Sequence, residues 1–155
     1  MANLFANMKD NKMIDSRDIK DLHPIVASLA KTLIDRAKKE LDVTLLVTST
    51  LRDNECQAKL YAKGRTAPGP KVTNAKPGQS FHNYGVAFDI VPVIDGKALW
   101  STSGKALEIW QSIGKLGKEI GLEWAGDWKT FKEFPHFQYV GGLSLKDFQA
   151  GKRLP

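Results

Sequence analysis

Two short stretches of this chain carry residue types that could do chemistry. Ser80-Phe-His-Asn-Tyr-Gly-Val-Ala-Phe-Asp89 sets a histidine and an aspartate seven positions apart. Glu133-Phe-Pro-His136 sets a carboxylate three positions before another histidine. Two of the chain's three histidines fall in these stretches. Two imidazoles and one carboxylate are the usual protein ligands of a catalytic zinc, which keeps a fourth position for water. A further carboxylate beside that water is the base a metallohydrolase needs.

The elements around these residues have to bring them together. From Tyr84 onward small and large residues alternate, which predicts a strand over residues 85–93. Val86, Phe88 and Ile90 would face a core, and Gly85, Ala87, Asp89 and Val91 the other side. The small neighbours leave room over Asp89. His82 precedes the strand, where a bend turns it towards the same point. Pro135 biases Phe134 to an extended conformation. His136-Phe-Gln-Tyr-Val140 then alternates again, with His136 and Gln138 on one face and Phe137 and Tyr139 on the other. A second strand beside the first would carry His136 to Asp89, with Glu133 just ahead of it and free not to ligate. A histidine beside a strand is more often structural than a ligand. A lone buried carboxylate is costly unless paired or metal-bound. Spacing alone leaves both readings open.

The motif Ser80-x-His82-x-x-Gly85-x-Ala87-x-Asp89 resembles the signature of the LAS metallopeptidases. That group includes D-alanyl-D-alanine carboxypeptidases and dipeptidases and the L-alanyl-D-glutamate endopeptidases of bacteriophages. Glu133-x-x-His136 matches its second motif. Ser49-Thr-Leu-Arg52, the Gln57 to Thr66 block with Leu60-Tyr61 and Gly64-Arg65-Thr66, and Gly121-Leu-Glu-Trp-Ala-Gly-Asp-Trp128 are similar to further blocks of the endopeptidase branch. Ala125 stands there in place of a usual glycine. The resemblance runs from about Ser16 to the C-terminus.

It implies an α+β fold with a small, mainly antiparallel sheet flanked by helices, as in the hedgehog and D-Ala-D-Ala peptidase group. It implies one Zn²⁺ per chain, held by His82, Asp89 and His136, with Glu133 as the base. Arg52 is placed over the metal, to stabilise an oxyanion or clamp a substrate carboxylate. Gln57 and Ser80 are expected to line the same pocket. Asp127 is expected to accept the outer N–H of a ligand histidine, and Trp128 to stand nearby as wall or core. The implied activity is a peptidoglycan hydrolase, an endolysin cutting between L-Ala and D-Glu of the stem peptide. A D,D-carboxypeptidase or dipeptidase releasing D-Ala is the alternative enzyme. A non-catalytic zinc domain that binds wall is the alternative outside enzymes, and Glu133 argues against it. Cys56 lies within a predicted helix and has no other cysteine to share a metal with, and a Cys–His peptidase finds little support.

Bulk properties agree. A chain of 155 residues suits one catalytic domain with a core, here 1–155, without a separate wall-binding module. Hydrophobic content of 42% and charged content of 26% are ordinary for a globular protein. No stretch reaches the ~20 apolar residues of a membrane span. The N-terminus lacks a basic start followed by an apolar run. The expectation is a protein made without a leader in the host cytoplasm, which reaches the cell wall after release. Its single cysteine excludes an internal disulfide. The net charge of +6 is scattered, which suits an anionic envelope surface and offers no nucleic-acid motif. A monomer is expected.

Along the chain, residues 1–15 read as a loose arm, and Ser16 as the cap of a helical turn. Pro24 opens an amphipathic helix to about Leu41. A strand follows at 43–48, then a helix at 54–63 capped by Asp53 and stopped by Gly64. Residues 66–79 form a long Pro- and Gly-rich loop that would wall a substrate groove. Asp95-Gly96 marks a hairpin. Leu107 to Ile120 repeat as a second long helix ended by Gly121, short strands follow at 123–125 and 136–140, and Ser144 caps a last turn. His23 is read as a structural or surface residue.

Overall fold

The computed structural model describes residues 13–155, so most of the arm expected at 1–15 lies outside the described residues. The elements are α1 (Pro24–Leu41), β1 (Thr44–Ser49), α2 (Asn54–Ala62), β2 (Ala87–Ile94), β3 (Lys97–Ala98), α3 (Lys105–Glu119), β4 (Glu123–Trp124), β5 (His136–Gln138) and α4 (Leu145–Gln149). All pairings in the sheet are antiparallel, in the order β1-β2-β5-β4, with β3 closing a short hairpin on β2. This is the expected α+β arrangement.

Local chemistry sets the ends of these elements. His23 Nδ1 accepts from the Ile25 amide at 3.2 Å and caps α1, whose first residue is Pro24. Asp53 accepts from the Cys56 amide and opens α2. Ser144 and Asp147 form a reciprocal capping box at α4. Ser16 is not a helix cap. A single 3₁₀ turn at Ile19–Asp21 is capped by Asp18, whose shorter reach to the Lys20 amide suits that tight turn. Ser16 instead ties the incoming chain to the end of β1, exchanging backbone hydrogen bonds with Leu51 and Thr50.

The core lies between the two long helices and one face of the sheet. Phe88, Ile90, Phe137 and Trp124 project from the strands to meet Leu33 of α1 and Trp110 and Ile113 of α3. Burying side chains of this size contributes about 1.5–3 kcal/mol each. α3 comes close because it turns glycines to the sheet. A Cβ on Gly117 would lie 2.5 Å from the Phe137 ring, and one on Gly114 would overlap the Trp124 indole. The opposite face of β2 and β5 carries Asp89, His136 and Gln138.

Candidate metal centre

Register brings the first two groups together. Asp89 of β2 pairs with His136 of β5, so both side chains leave the same face of the sheet. His82 arrives by a different route. Phe81–Tyr84 is a 3₁₀ turn whose N-cap is Ser80, and the Ser80 hydroxyl accepts from the His82 amide. Gly85, at φ 68°, ends the turn in a left-handed conformation and sends the chain into β2. Among the described residues, the ligand atoms of His82, Asp89 and His136 all lie within 4.8 Å of one another. Asp89 Oδ1 is 3.2 Å from His82 Nε2 and 3.1 Å from His136 Nδ1.

The far side of each ring decides which nitrogen faces the cluster with a lone pair. His82 Nδ1 lies 2.8 Å from the Thr50 carbonyl, which can only accept, so this nitrogen carries the hydrogen. His136 Nε2 lies 2.8 Å from Gln138 Oε1. The Gln138 amide is itself oriented, because its Nε2 donates to the Glu123 carboxylate at 2.9 Å. His136 therefore donates from Nε2 and turns Nδ1 inward. The Thr50 carbonyl reaches His82 because β1 bulges. Val47 pairs with Ile90 and Ser49 with Asp89, so Thr48 is an extra residue that bends the strand end.

Three acceptors thus converge on one point, an arrangement that calls for a cation. Burial opposes a charge on His136, but its hydrogen bond to Asp89 and that carboxylate's charge prevail and raise its pKa. Burial also opposes the Asp89 charge, yet the two imidazoles hold its carboxyl well below the usual range. Burial dominates at His82 and lowers its pKa. The same atoms fit a metal. Donors bound tetrahedrally at about 2.0–2.1 Å stand roughly 3.3 Å apart, and imidazole with carboxylate is a donor set that zinc accepts.

An open groove covers the cluster. One cavity of about 470 Å³ extends from Asp89 and His136 past Arg52 to Lys132. A second, of about 360 Å³, lies between Asn74 and Phe131, and a smaller one of about 200 Å³ reaches Ser80 and Trp128. Glu133 lines all three. Its side chain is half exposed, with Oε2 3.7 Å from His136 Nδ1. Arg52 lines the cavities on both sides of the cluster, and its Nε is buried with no partner among the described residues. The backbones of Arg52 and the His82 turn are tied together: the Arg52 amide donates to the His82 carbonyl, and Asn83 Nδ2 donates to the Arg52 carbonyl. The Trp128 ring stands 5.5 Å from that of His136.

Two expectations need correction. Asp127 accepts no N–H from either histidine. Its carboxylate pairs with Lys118 at 2.7 Å, and the outer hydrogens go to Thr50 and Gln138. Gln57 is fully buried and does not face the groove; its amide donates to the Ala75 carbonyl from behind the loop. The partners missed from sequence are Thr50 and Gln138. Thr50 acts through its backbone and gives no side-chain signal. Gln138 shares a strand face with His136 two residues on, which was a usable signal.

Known proteins resemble this chain in sequence and in fold. The sequence profile of a family described as D-alanyl-D-alanine carboxypeptidase matches residues 73–139. The peptidoglycan L-alanyl-D-glutamate endopeptidase CwlK of Bacillus subtilis is 39% identical over 128 residues, covering 77% of this chain and 74% of that protein. The L-alanyl-D-glutamate peptidase of Listeria phage A118 is 30% identical over 74% of this chain, which spans only 39% of the phage protein. The crystal structure of the L-Ala D-Glu endopeptidase ChiX of Serratia marcescens superposes with a TM-score of 0.58 at 23% identity, covering 84% of this chain and 86% of that one.

Proposed function

The chain belongs to the LAS-type metallopeptidase family, and from that premise we propose that it hydrolyses the L-alanyl-D-glutamate bond of peptidoglycan stem peptides with one zinc held by His82, Asp89 and His136. The observation that carries this reading is the position of Glu133. A solvent-accessible carboxylate stands 3.7 Å from the inward nitrogen of a buried histidine, in a groove open to a polymer. A domain that only bound wall would have no use for it.

A bound zinc supplies Lewis acidity, which polarises a carbonyl and makes water nucleophilic near neutral pH. Glu133 takes the proton of the attacking water and delivers it to the departing amine, a role worth about 10²- to 10⁴-fold in rate. Arg52 presents its guanidinium to the oxygen on which negative charge develops or to a substrate carboxylate. Arg52 lines the cavities that hold Asp89, His136 and Glu133. Ser80 fixes the His82 turn, and Trp128 covers the His136 ring. The clustered histidines exclude water on the buried side, where His82 and His136 are 2% and 6% exposed.

The specificity follows the CwlK and phage relatives. With peptidoglycan as substrate, the protein acts in the cell wall. The test is digestion of purified peptidoglycan by metal-loaded and chelator-treated protein, with mass spectrometry of the new ends. Fragments ending in L-Ala or beginning with D-Glu, lost on chelation and restored by Zn²⁺, are the expected result. Release of D-Ala instead would move the protein to the carboxypeptidase branch.

A further inference from the structure

The Gly64-Arg65-Thr66 block stands behind the groove with Gln57. Arg65 Nη1 donates to the Tyr61 carbonyl at 2.7 Å and to the Thr73 carbonyl at 3.0 Å, and Nη2 reaches Asn74 Oδ1 at 3.4 Å. Its guanidinium lies 3.8 Å over the Tyr61 ring. Gln57 Nε2 donates to the Ala75 carbonyl at 2.8 Å, and the Ala75 amide donates to Thr73 Oγ1 at 3.1 Å. Gly64 lets the loop fold back this closely. It sits at φ 75°, and a Cβ there would come within 2.6 Å of the Lys71 amide nitrogen. Thr73, Asn74 and Ala75 are therefore each gripped from the rear.

Their other side is the groove. Thr73 lines the same three cavities as Glu133. Among the described residues, the backbone amides of Val72, Thr73 and Asn74 have no acceptor. Unspent amides along a groove are what the backbone of a bound peptide can use. A 14-residue loop of this composition would otherwise sample many conformations, and every substrate would bear the cost of ordering it. A planar guanidinium with several donors in a fixed fork suits the task, and a lysine ammonium does not.

We infer that Arg65 and Gln57 are positioning residues for substrate: they hold Thr73–Ala75 at a set distance from Glu133, as a preformed wall along which the stem peptide lies. This rests on the peptidase reading above. It also explains a sequence block that the metal chemistry leaves unused.

The test compares the wild-type protein with Arg65→Lys, which keeps the charge over Tyr61 but loses the fork, and with Gln57→Met, which keeps the volume and loses the donor. Metal content, amide hydrogen exchange, and kcat and KM on a soluble stem peptide are measured for each. In Arg65→Lys the Ala75 amide should exchange about tenfold faster, the loss of a hydrogen bond to a charged group. Exchange in β2 and metal content should not change. KM should rise about tenfold, with kcat held within about twofold. Gln57→Met should give the same pattern at smaller amplitude and guards against misfolding of the first variant. Unchanged exchange in both variants would overturn the inference, as would faster exchange with unchanged KM. If the wild-type protein cleaves no stem peptide, the peptidase reading falls. Exchange, with calorimetric binding of the same peptide to wild type and variants, then still decides whether the wall is held and used.

Discussion

The two sides of the candidate centre are built by opposite means. The ligand side stands on the sheet. Asp89 and His136 are register partners, His82 sits on a capped turn, and each ring is held by an acceptor at its outer nitrogen. The side that would carry the reaction stands on loops. Glu133 is half exposed and follows Phe131, which is 73% exposed and held at φ 54°. A bulky residue in the left-handed region is strained by about 1–3 kcal/mol, and such strain gathers where function constrains the chain. A metal must be met by donors fixed to a fraction of an ångström, and both histidine rings are buried and held at both nitrogens. A base must reach water and then a leaving amine, which a groove-facing loop allows.

Breaking each side should give a different signature. The largest effect belongs to the ligands. His136→Ala removes one of three donors, so zinc should be lost on dialysis and hydrolysis should fall to background. Chelation of the wild-type protein should match it and also lower the melting temperature, because a ligand that binds only the folded state stabilises it. Metal analysis and a thermal scan check both. Glu133→Gln should separate the two sides. Activity should drop about 10²- to 10⁴-fold while zinc content and melting temperature stay at wild-type values. Retained activity in a zinc-loaded Glu133→Gln protein would remove Glu133 from the role of base.

How far the sequence reveals this design depends on which side is read. The strand positions of Asp89 and His136 were legible, because alternation around each states the face it occupies; that the two are register partners is a finding of the structure. The helices were legible from periodicity and caps, and α4 has the expected Ser144 at its head. What was not legible acts through backbone geometry or through a partner distant in sequence. The Thr48 bulge that aims the Thr50 carbonyl leaves no mark in composition. Gln57 looked like a pocket residue, but α2 turns it behind the loop. Asp127 looked like the outer partner of a histidine, yet Lys118, nine positions earlier on α3, holds it instead. A short polar residue near a histidine in sequence says little about which partner the fold will bring to it.

The ligand side itself can be taken apart more finely, one outer partner at a time. Gln138→Leu leaves the donor set intact but removes the acceptor for His136 Nε2–H. The ring is then free to rotate or to take the other tautomer, and zinc affinity should fall about 10- to 100-fold. Competition with a chelating dye measures it, with activity restored at saturating zinc. The smallest effect tests the last link in the chain. Glu123 is exposed and touches no ligand, but its carboxylate is what turns the Gln138 oxygen towards His136. Glu123→Leu lets the Gln138 amide flip, so that in part of the population an NH₂ group faces the Nε2–H. Zinc affinity should then fall severalfold, less than in Gln138→Leu. The double variant should be no worse than Gln138→Leu alone, because Glu123 can act only through that amide. Additive losses would mean that Glu123 reaches the centre by its charge and not by orienting Gln138.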